Sequence, residues 1–172
     1  HLWMDRFTIR NLELMGGAEG SHTLLKVLDN TASPMGARLL KRWLLMPLND
    51  LARIQERLDT VEFLVKETDL RGKLIQHIKQ AGDIERLVSK VPLKKVNPRE
   101  VLQIAKGLQQ VEALKSVCAG SAHGHLQRLA DALNPCRYIF DKIMKELVEN
   151  PPAATGKGGM IATGIHTELD EL

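Results

Sequence analysis

The chain has 172 residues, 44% of them hydrophobic and 26% charged, a balance that excludes an intrinsically disordered protein and predicts one domain, or one large lobe, with an apolar core. The formal net charge of +3 is too small to predict nucleic-acid binding by itself. No apolar run approaches the roughly 20 residues of a membrane span, so we expect a cytoplasmic protein without a membrane partner. Cys118 and Cys136 lack metal-site spacing and are expected to be free thiols, although a disulfide between them stays open.

The N-terminal part is predicted to pass from an extended stretch into a helix. Residues 1–20, which contain LWMDRFTIRNLEL, are expected to form an extended segment that leads into a helical body over 21–150. In SPMGARLLKRWLLMPL, Ser33 is a predicted N-cap, Pro34 suits the first helical position and Pro47 ends the helix. The predicted inward side of this helix consists of Leu39, Leu40, Trp43 and Leu44.

Helical periodicity continues through the middle of the chain. After a predicted N-cap at Asp50, apolar residues recur on one helical face, namely Ile54, Leu58, Val61 and Val65. A further helix is predicted over TDLRGKLIQHIKQAG, and a short one begins at Asp83. The residues of the short helix that we expect to point inward are Ile84, Leu87, Val88 and Val91.

The clearest helix start is NPRE. Asn97 is a good N-cap, Pro98 suits the first position, and the side chain of Glu100 can reach back to the cap N–H. Two more helices are predicted after the break at AGSAHGH. Their expected inward residues are Leu126, Leu129, Leu133, Ile139, Ile143 and Leu147.

The end of the chain, GGMIATGIHTELDEL, predicts a loop followed by the start of a helix. The loop covers 151–164 and includes the extended stretch GMIAT, and the segment 165–172 holds the start of the helix, with Thr167 as its N-cap. Because so short a helix needs packing to persist, we expect it to be the root of a longer one in a longer protein. The predicted fold class is mainly α, a multi-helix bundle or orthogonal helical array with at most one or two short strands.

Three patterns that could carry chemistry do not complete a site. ATGKGG is similar to a phosphate-binding loop, but Pro151 stands where the first glycine belongs and Gly158 where the Mg²⁺ ligand belongs. His123 and His125 in HGH lack further metal ligands, and His77 is expected to be packed or partly exposed. No nucleophile, base and orienting group occur together, so we expect no catalytic residue, cofactor or metal in this chain.

A basic cluster lies in SKVPLKKVNPR. Its members could make weak contacts with phosphates, and they are Lys90, Lys94, Lys95 and Arg99. No aromatic residues interleave with them, and Pro92 and Pro98 interrupt any recognition helix. A solvated turn is therefore the alternative interpretation.

Long motifs in a fixed order resemble the core domain, also called the lever domain or domain III, of the MutS family of DNA mismatch-repair ATPases. These motifs are DRFTIRNLEL, LLKVLDNTASPMGARLLKRWLLMPL, ARIQERLDTVEFL, GDIERLVSKV, NPRE and GGMIATGIHTELDEL, and together they cover essentially the whole chain. The blocks RNLEL and TELDEL are more similar to the mismatch-recognising branch of the family than to its other branch.

The resemblance implies a mechanical role rather than a catalytic one. In the family, the ELDEL segment enters a long lever helix that reaches a DNA clamp, so 165–172 would be the root of that lever. The mismatch-wedging Phe-x-Glu motif and the Walker A and B motifs of the family are absent here. ATP, Mg, mismatched duplex DNA, a homodimer partner and a MutL-type protein would thus belong to the full-length protein, in which this chain connects the ATPase domain to the clamp.

The resemblance also points to residues at junctions with other domains. These are polar or large residues in otherwise apolar blocks, namely Arg10, Asn11, Glu13, Gly36, Arg38, Arg42 and Trp43. Internal salt bridges and core packing are an equal alternative for them. The rival functions are a free-standing helical DNA-binding module, with SPMGARLLKRWLL as its groove helix, and a protein-interaction module.

Overall fold

The computed structural model describes residues 1–16, 22–152, 158–165 and 170, and these residues form a mainly α array. The predicted fold class is therefore confirmed. Within the described ranges, the helices are α1 (Arg6–Asn11), α2 (Leu24–Leu28), α3 (Pro34–Leu45), α4 (Leu51–Lys66), α5 (Thr68–Ala81), α6 (Ile84–Lys90), α7 (Pro98–Ala119), α8 (Gly124–Ala132) and α9 (Arg137–Glu146).

The expectation that residues 1–20 are extended was wrong over α1. Asp5 caps this helix, because its carboxylate accepts a hydrogen bond from the backbone N–H of Thr8 at 2.7 Å. The β-branched and aromatic residues of RFTIRN favour a strand, but a local side-chain acceptor for an orphan N–H favours the helix here. Residues 17–21 lie outside the described ranges.

The second stretch predicted to be extended makes one isolated antiparallel bridge, between Leu147 and Ile161. Two backbone hydrogen bonds flank the bridge, from the N–H of Val148 to the carbonyl of Met160 at 3.1 Å and from Ala162 to Glu146 at 2.8 Å. The chain after α9 is thus tied back to the end of α9. The predicted N-cap Thr167 lies outside the described residues.

The core is centred on α7, which packs against α5, α6, α8 and α9. The predicted capping box at its start is present, since Asn97 Oδ1 accepts from the N–H of Glu100 at 2.9 Å and Glu100 Oε2 accepts from the N–H of Asn97 at 3.0 Å. Gly107 allows a close approach of α6, because a Cβ there would lie 2.6 Å from a side-chain carbon of Ile84 and 2.9 Å from the carbonyl oxygen of Ala81.

Several residues predicted to point inward are exposed. They are Leu39, Trp43, Val88, Val91, Leu129 and Ile139. The predictions failed because periodicity identifies an apolar face but not whether a neighbour covers it. The array is consequently open, with apolar faces at its surface.

Candidate functional site

The first group of predicted junction residues, Arg10, Asn11 and Glu13, lies at the end of α1 and is exposed. Glu13 has a φ of 49°, and its carbonyl accepts from the N–H of Leu24 at 2.9 Å. The next carbonyl, of Leu14, accepts from the following N–H of α2 at 3.1 Å. The RNLEL block is therefore hydrogen-bonded to the start of α2, and its three polar side chains remain at the surface.

Arg38 ties α3 to the start of α6. Its guanidinium donates through Nη1 and Nη2 to both carboxylate oxygens of Asp83, at 3.0 and 2.6 Å. It also donates to Glu85 Oε2, from Nε at 3.1 Å and from Nη2 at 2.7 Å. These bonds raise the pKa of Arg38 and hold the pKa of Asp83 below its usual range. The geometry thus gives Arg38 an internal ionic partner, as in the alternative interpretation.

Trp43 and Gly36 also have internal roles. The guanidinium carbon of Arg57 lies 3.7 Å from the centre of the Trp43 ring, a cation–π contact that joins α3 to α4. The N–H of Gly36 donates to the capping oxygen of Ser33 at 3.2 Å, and a Cβ at Gly36 would lie 3.3 Å from Thr31 Cβ. Gly36 therefore fits the tight turn that starts α3.

Arg42 lies on a groove between the chain before α1 and the outer side of α3. This α1–α3 groove has a volume of about 640 Å³, and its lining includes Trp3, Met4, Ile9, Lys41, Arg42 and Met46. Arg38 also lines it, with its charge already paired. Lys41 and Arg42 are exposed, and neither makes an ion pair within the described ranges.

The four basic residues predicted as weak phosphate contacts differ in their partners. Lys90 pairs with Glu100 and, with the N–H of Asn97, holds the pKa of that carboxyl below its usual range. Arg99 donates from Nε to the carbonyl of Pro151 at 2.9 Å. The remaining two, Lys94 and Lys95, are exposed and have no ionic partner among the described residues.

Comparison with known proteins decides the family. The family profile described as MutS domain III matches residues 7–171. The chain belongs to this family. The DNA mismatch repair protein MutS of Cytophaga hutchinsonii is 45% identical over 173 aligned positions, which cover 100% of this chain and 20% of that protein. The DNA mismatch repair proteins MutS of Phocaeicola vulgatus and Bacteroides fragilis are 46% and 45% identical, each over 98% of this chain and 20% of their own length.

The match confirms the resemblance to the MutS family that the ordered motifs indicate. The share of each relative that the match covers limits what it shows about function. This MutS domain III chain spans about a fifth of the length of the curated relatives it matches. The family assignment therefore applies to the helical array and does not by itself assign the activities of a complete relative to this chain.

Two histidines of this MutS domain III chain, His77 and His123, take part in contacts between helices. His77 Nδ1 lies 2.9 Å from Gln110 Oε1, between α5 and α7, and the ring of His123 lies against Phe63 with centroids 4.8 Å apart. The part of the chain that the structure describes contains no group of three His, Cys, Asp or Glu side chains able to hold a metal ion. Nor does any helix in the described ranges have the length and hydropathy to cross a membrane.

The cysteines are free, as expected: Cys118 is buried, and burial raises the pKa of its thiol, while Cys136 is exposed. Residues 153–157, which hold most of the ATGKGG pattern, lie outside the described residues.

Two features had not been predicted. A largely apolar cleft of about 470 Å³ lies between α4, α5, α7 and α8, with Trp43 at α3 on its rim. Glu56 of α4 also contacts α8, since it forms an ion pair with Arg128 through Oε1 and its Oε2 lies 3.1 Å from His125 Nδ1. In the sequence, the only feature that could have indicated the cleft is the apolar face of α4. The contact between α4 and α8 joins residues far apart in the chain, so no local sequence pattern predicts it.

Proposed function

We propose that this MutS domain III chain is the non-catalytic core of a bacterial, cytoplasmic DNA mismatch-repair protein, in which it couples an ATPase domain to a DNA clamp. The chain itself would hydrolyse no ATP. The longer protein would bind mismatched duplex DNA, ATP and Mg, pair with a second copy and engage a MutL-type partner. The observation that carries the proposal is a continuous series of contacts from α3 to residues 160–162.

The series begins at the predicted junction. Arg38 of α3 holds Asp83, and Asp83 also caps α6 by accepting from the N–H of Arg86 at 3.2 Å. A displacement of α3 would therefore act directly on the start of α6. Because α6 packs on α7 at Gly107 with no room for a Cβ, we expect a displacement of α6 to reach α7.

The series continues to the other end of the chain. Helix α9 packs on α7, and the Leu147–Ile161 bridge fastens residues 160–162 to the end of α9. Packed elements of this kind change between discrete arrangements rather than deforming smoothly, which suits a connecting role. The exposed apolar side chains of Phe7, Leu28 and Leu39 also support a place inside a larger protein.

A test begins with the reading frame that encodes this chain. We expect it to continue into a clamp segment and a Walker A motif. In that longer protein, Arg38→Gln should leave basal ATP hydrolysis unchanged and reduce its response to mismatched DNA about threefold or more, since mutations along a coupling route change the coupling by up to ~2 kcal/mol.

Lys94→Gln provides the matched control, because it removes one exposed positive charge that has no ionic partner among the described residues. We expect Lys94→Gln to behave like the unsubstituted protein. A reading frame without an ATPase motif would overturn the proposed function. An Arg38→Gln protein with a full response to mismatched DNA would overturn this route of coupling.

A further inference from the structure

We infer that the α1–α3 groove binds an acidic amphipathic segment from another domain of the longer protein, an inference that rests on the proposed function. The segment would place an apolar side chain in the groove and carboxylates against its basic rim. Two independent properties of the groove, its apolar floor and its unneutralised charge, lead to this chemistry.

The apolar floor is unusually exposed for a folded protein. Trp3 is 78% exposed and Met46 is 48% exposed, and both line the groove. Phe7, on the adjoining turn of α1, is exposed as well. Tryptophan is enriched among the residues that contribute most to protein–protein binding, and contiguous apolar surface of this kind is typical of interfaces. The floor therefore requires an apolar group from the occupant.

The charge on the rim determines the rest of the occupant. Lys41 and Arg42 line the groove without an ionic partner among the described residues, and no carboxylate contributes to the lining. A wholly apolar occupant would desolvate these two cations without compensation, which is strongly unfavourable. Carboxylates beside the apolar group would satisfy both. A nucleic acid is a poorer match, because phosphate binding relies on many cations and this groove offers two.

The experiment uses the 172-residue chain and three fluorescent probes. The first is a short helical peptide with leucines at helical spacing and flanking glutamates, the second has lysines in place of the glutamates, and the third is oligothymidylate. We expect the glutamate peptide to bind with a Kd below about 1 mM, at least about tenfold tighter than the lysine peptide. The double variant K41E/R42E should weaken the glutamate peptide about tenfold or more and strengthen the lysine peptide.

A matched control separates the groove from overall charge. K94E/K95E makes the same change in net charge at two exposed lysines outside the groove, so it should leave binding of the glutamate peptide close to that of the unsubstituted chain. Circular dichroism should show equal helix content for both double variants. The inference is overturned if the glutamate peptide does not bind, if both double variants weaken it equally, or if oligothymidylate alone binds through Lys41 and Arg42.

The outcome is separable from that of the proposed function. If the glutamate peptide does not bind but Arg38→Gln reduces the response of ATP hydrolysis to mismatched DNA, the inference fails and the proposed function remains. A groove that binds the glutamate peptide, together with a reading frame that lacks an ATPase motif, removes the function instead.

Discussion

Helices α3 and α7 begin with the same kind of capping residues, but they differ in how much of each helix is buried. Each has a polar N-cap, Ser33 or Asn97, followed by proline at the first position. However, α7 buries residues along its length against four other helices, whereas α3 has no buried residue. Local signals thus determine where a helix begins, and the number of packed neighbours determines what it buries.

The same contrast separates two regions of the molecule. The body, α4 to α9, contains the buried cluster of Leu74, Cys118, Leu126 and Ala130. In the N-terminal region, which comprises α1 to α3, the side chains of Arg38 and Trp43 make the connections to α6 and α4. A body held by packing and a region held by side-chain contacts should respond differently to substitution.

The largest expected difference concerns leucines. Leu126 is 4% exposed in the body, so Leu126→Ala should lower the free energy of unfolding by about 2–5 kcal/mol. Leu28 of α2 is 47% exposed, so Leu28→Ala should lower it by less than about 1 kcal/mol. Urea unfolding measures both. Equal losses would show that the N-terminal region shares the core.

Two glycines in the body should respond with opposite signs. Gly107→Ala forces a Cβ against Ile84 and the carbonyl of Ala81, and should destabilise by about 1–3 kcal/mol. Gly72, within α5, has open space around it, so Gly72→Ala should stabilise by about 0.5–1 kcal/mol through helix propensity alone. Thermal unfolding of the two variants tests this, and a stabilising Gly107→Ala would mean that α6 is loosely packed on α7.

The caps of the two regions allow a smaller comparison. Asn97→Ala removes the capping box of α7 and should lower global stability by about 1 kcal/mol. Ser33→Ala removes the cap of α3 and should speed amide exchange within α3 without an equal shift of global unfolding, since α3 is not part of the buried cluster. An equal global shift from Ser33→Ala would contradict the contrast between the regions.

The smallest expected effect is on acid stability. Arg38 lowers the pKa of Asp83, and Lys90 lowers that of Glu100, below their ordinary values of 3.8 and 4.5. Their stabilising contribution is therefore full above those ordinary values and is lost as the pH falls through the lower folded-state values. The melting temperature of D83N/E100Q should fall less steeply below about pH 4 than that of the unsubstituted chain. Parallel curves would show that neither pair matters to stability.

Most helix starts could be predicted because their signals are local. The caps at Ser33, Asp50 and Asn97 each use a side chain and an N–H three residues apart. Helix α1 was not predicted, because its β-branched and aromatic residues favour a strand and the capping role of Asp5 was not recognised. Burial was predicted poorly along α3, since apolar periodicity does not reveal that Leu39 stays exposed among the described residues.

The candidate site was less predictable than the helices. Arg38 could be selected from its motif, but its partners lie 45 and 47 positions further along the chain. The α1–α3 groove likewise depends on how the chain before α1 lies against α3, which no local pattern encodes. The interdomain roles stay predictions for all seven residues, namely Arg10, Asn11, Glu13, Gly36, Arg38, Arg42 and Trp43.

Native-state hydrogen exchange on the 172-residue chain tests most directly whether an N-terminal region held by side-chain contacts is attached to a body centred on α7. We predict that the slowest amides lie in α7 and exchange only through global unfolding, while those of α1 to α3 exchange at least about tenfold faster through local opening. Equal protection in α3 and α7 would contradict the account, because it would place both helices in one cooperative core.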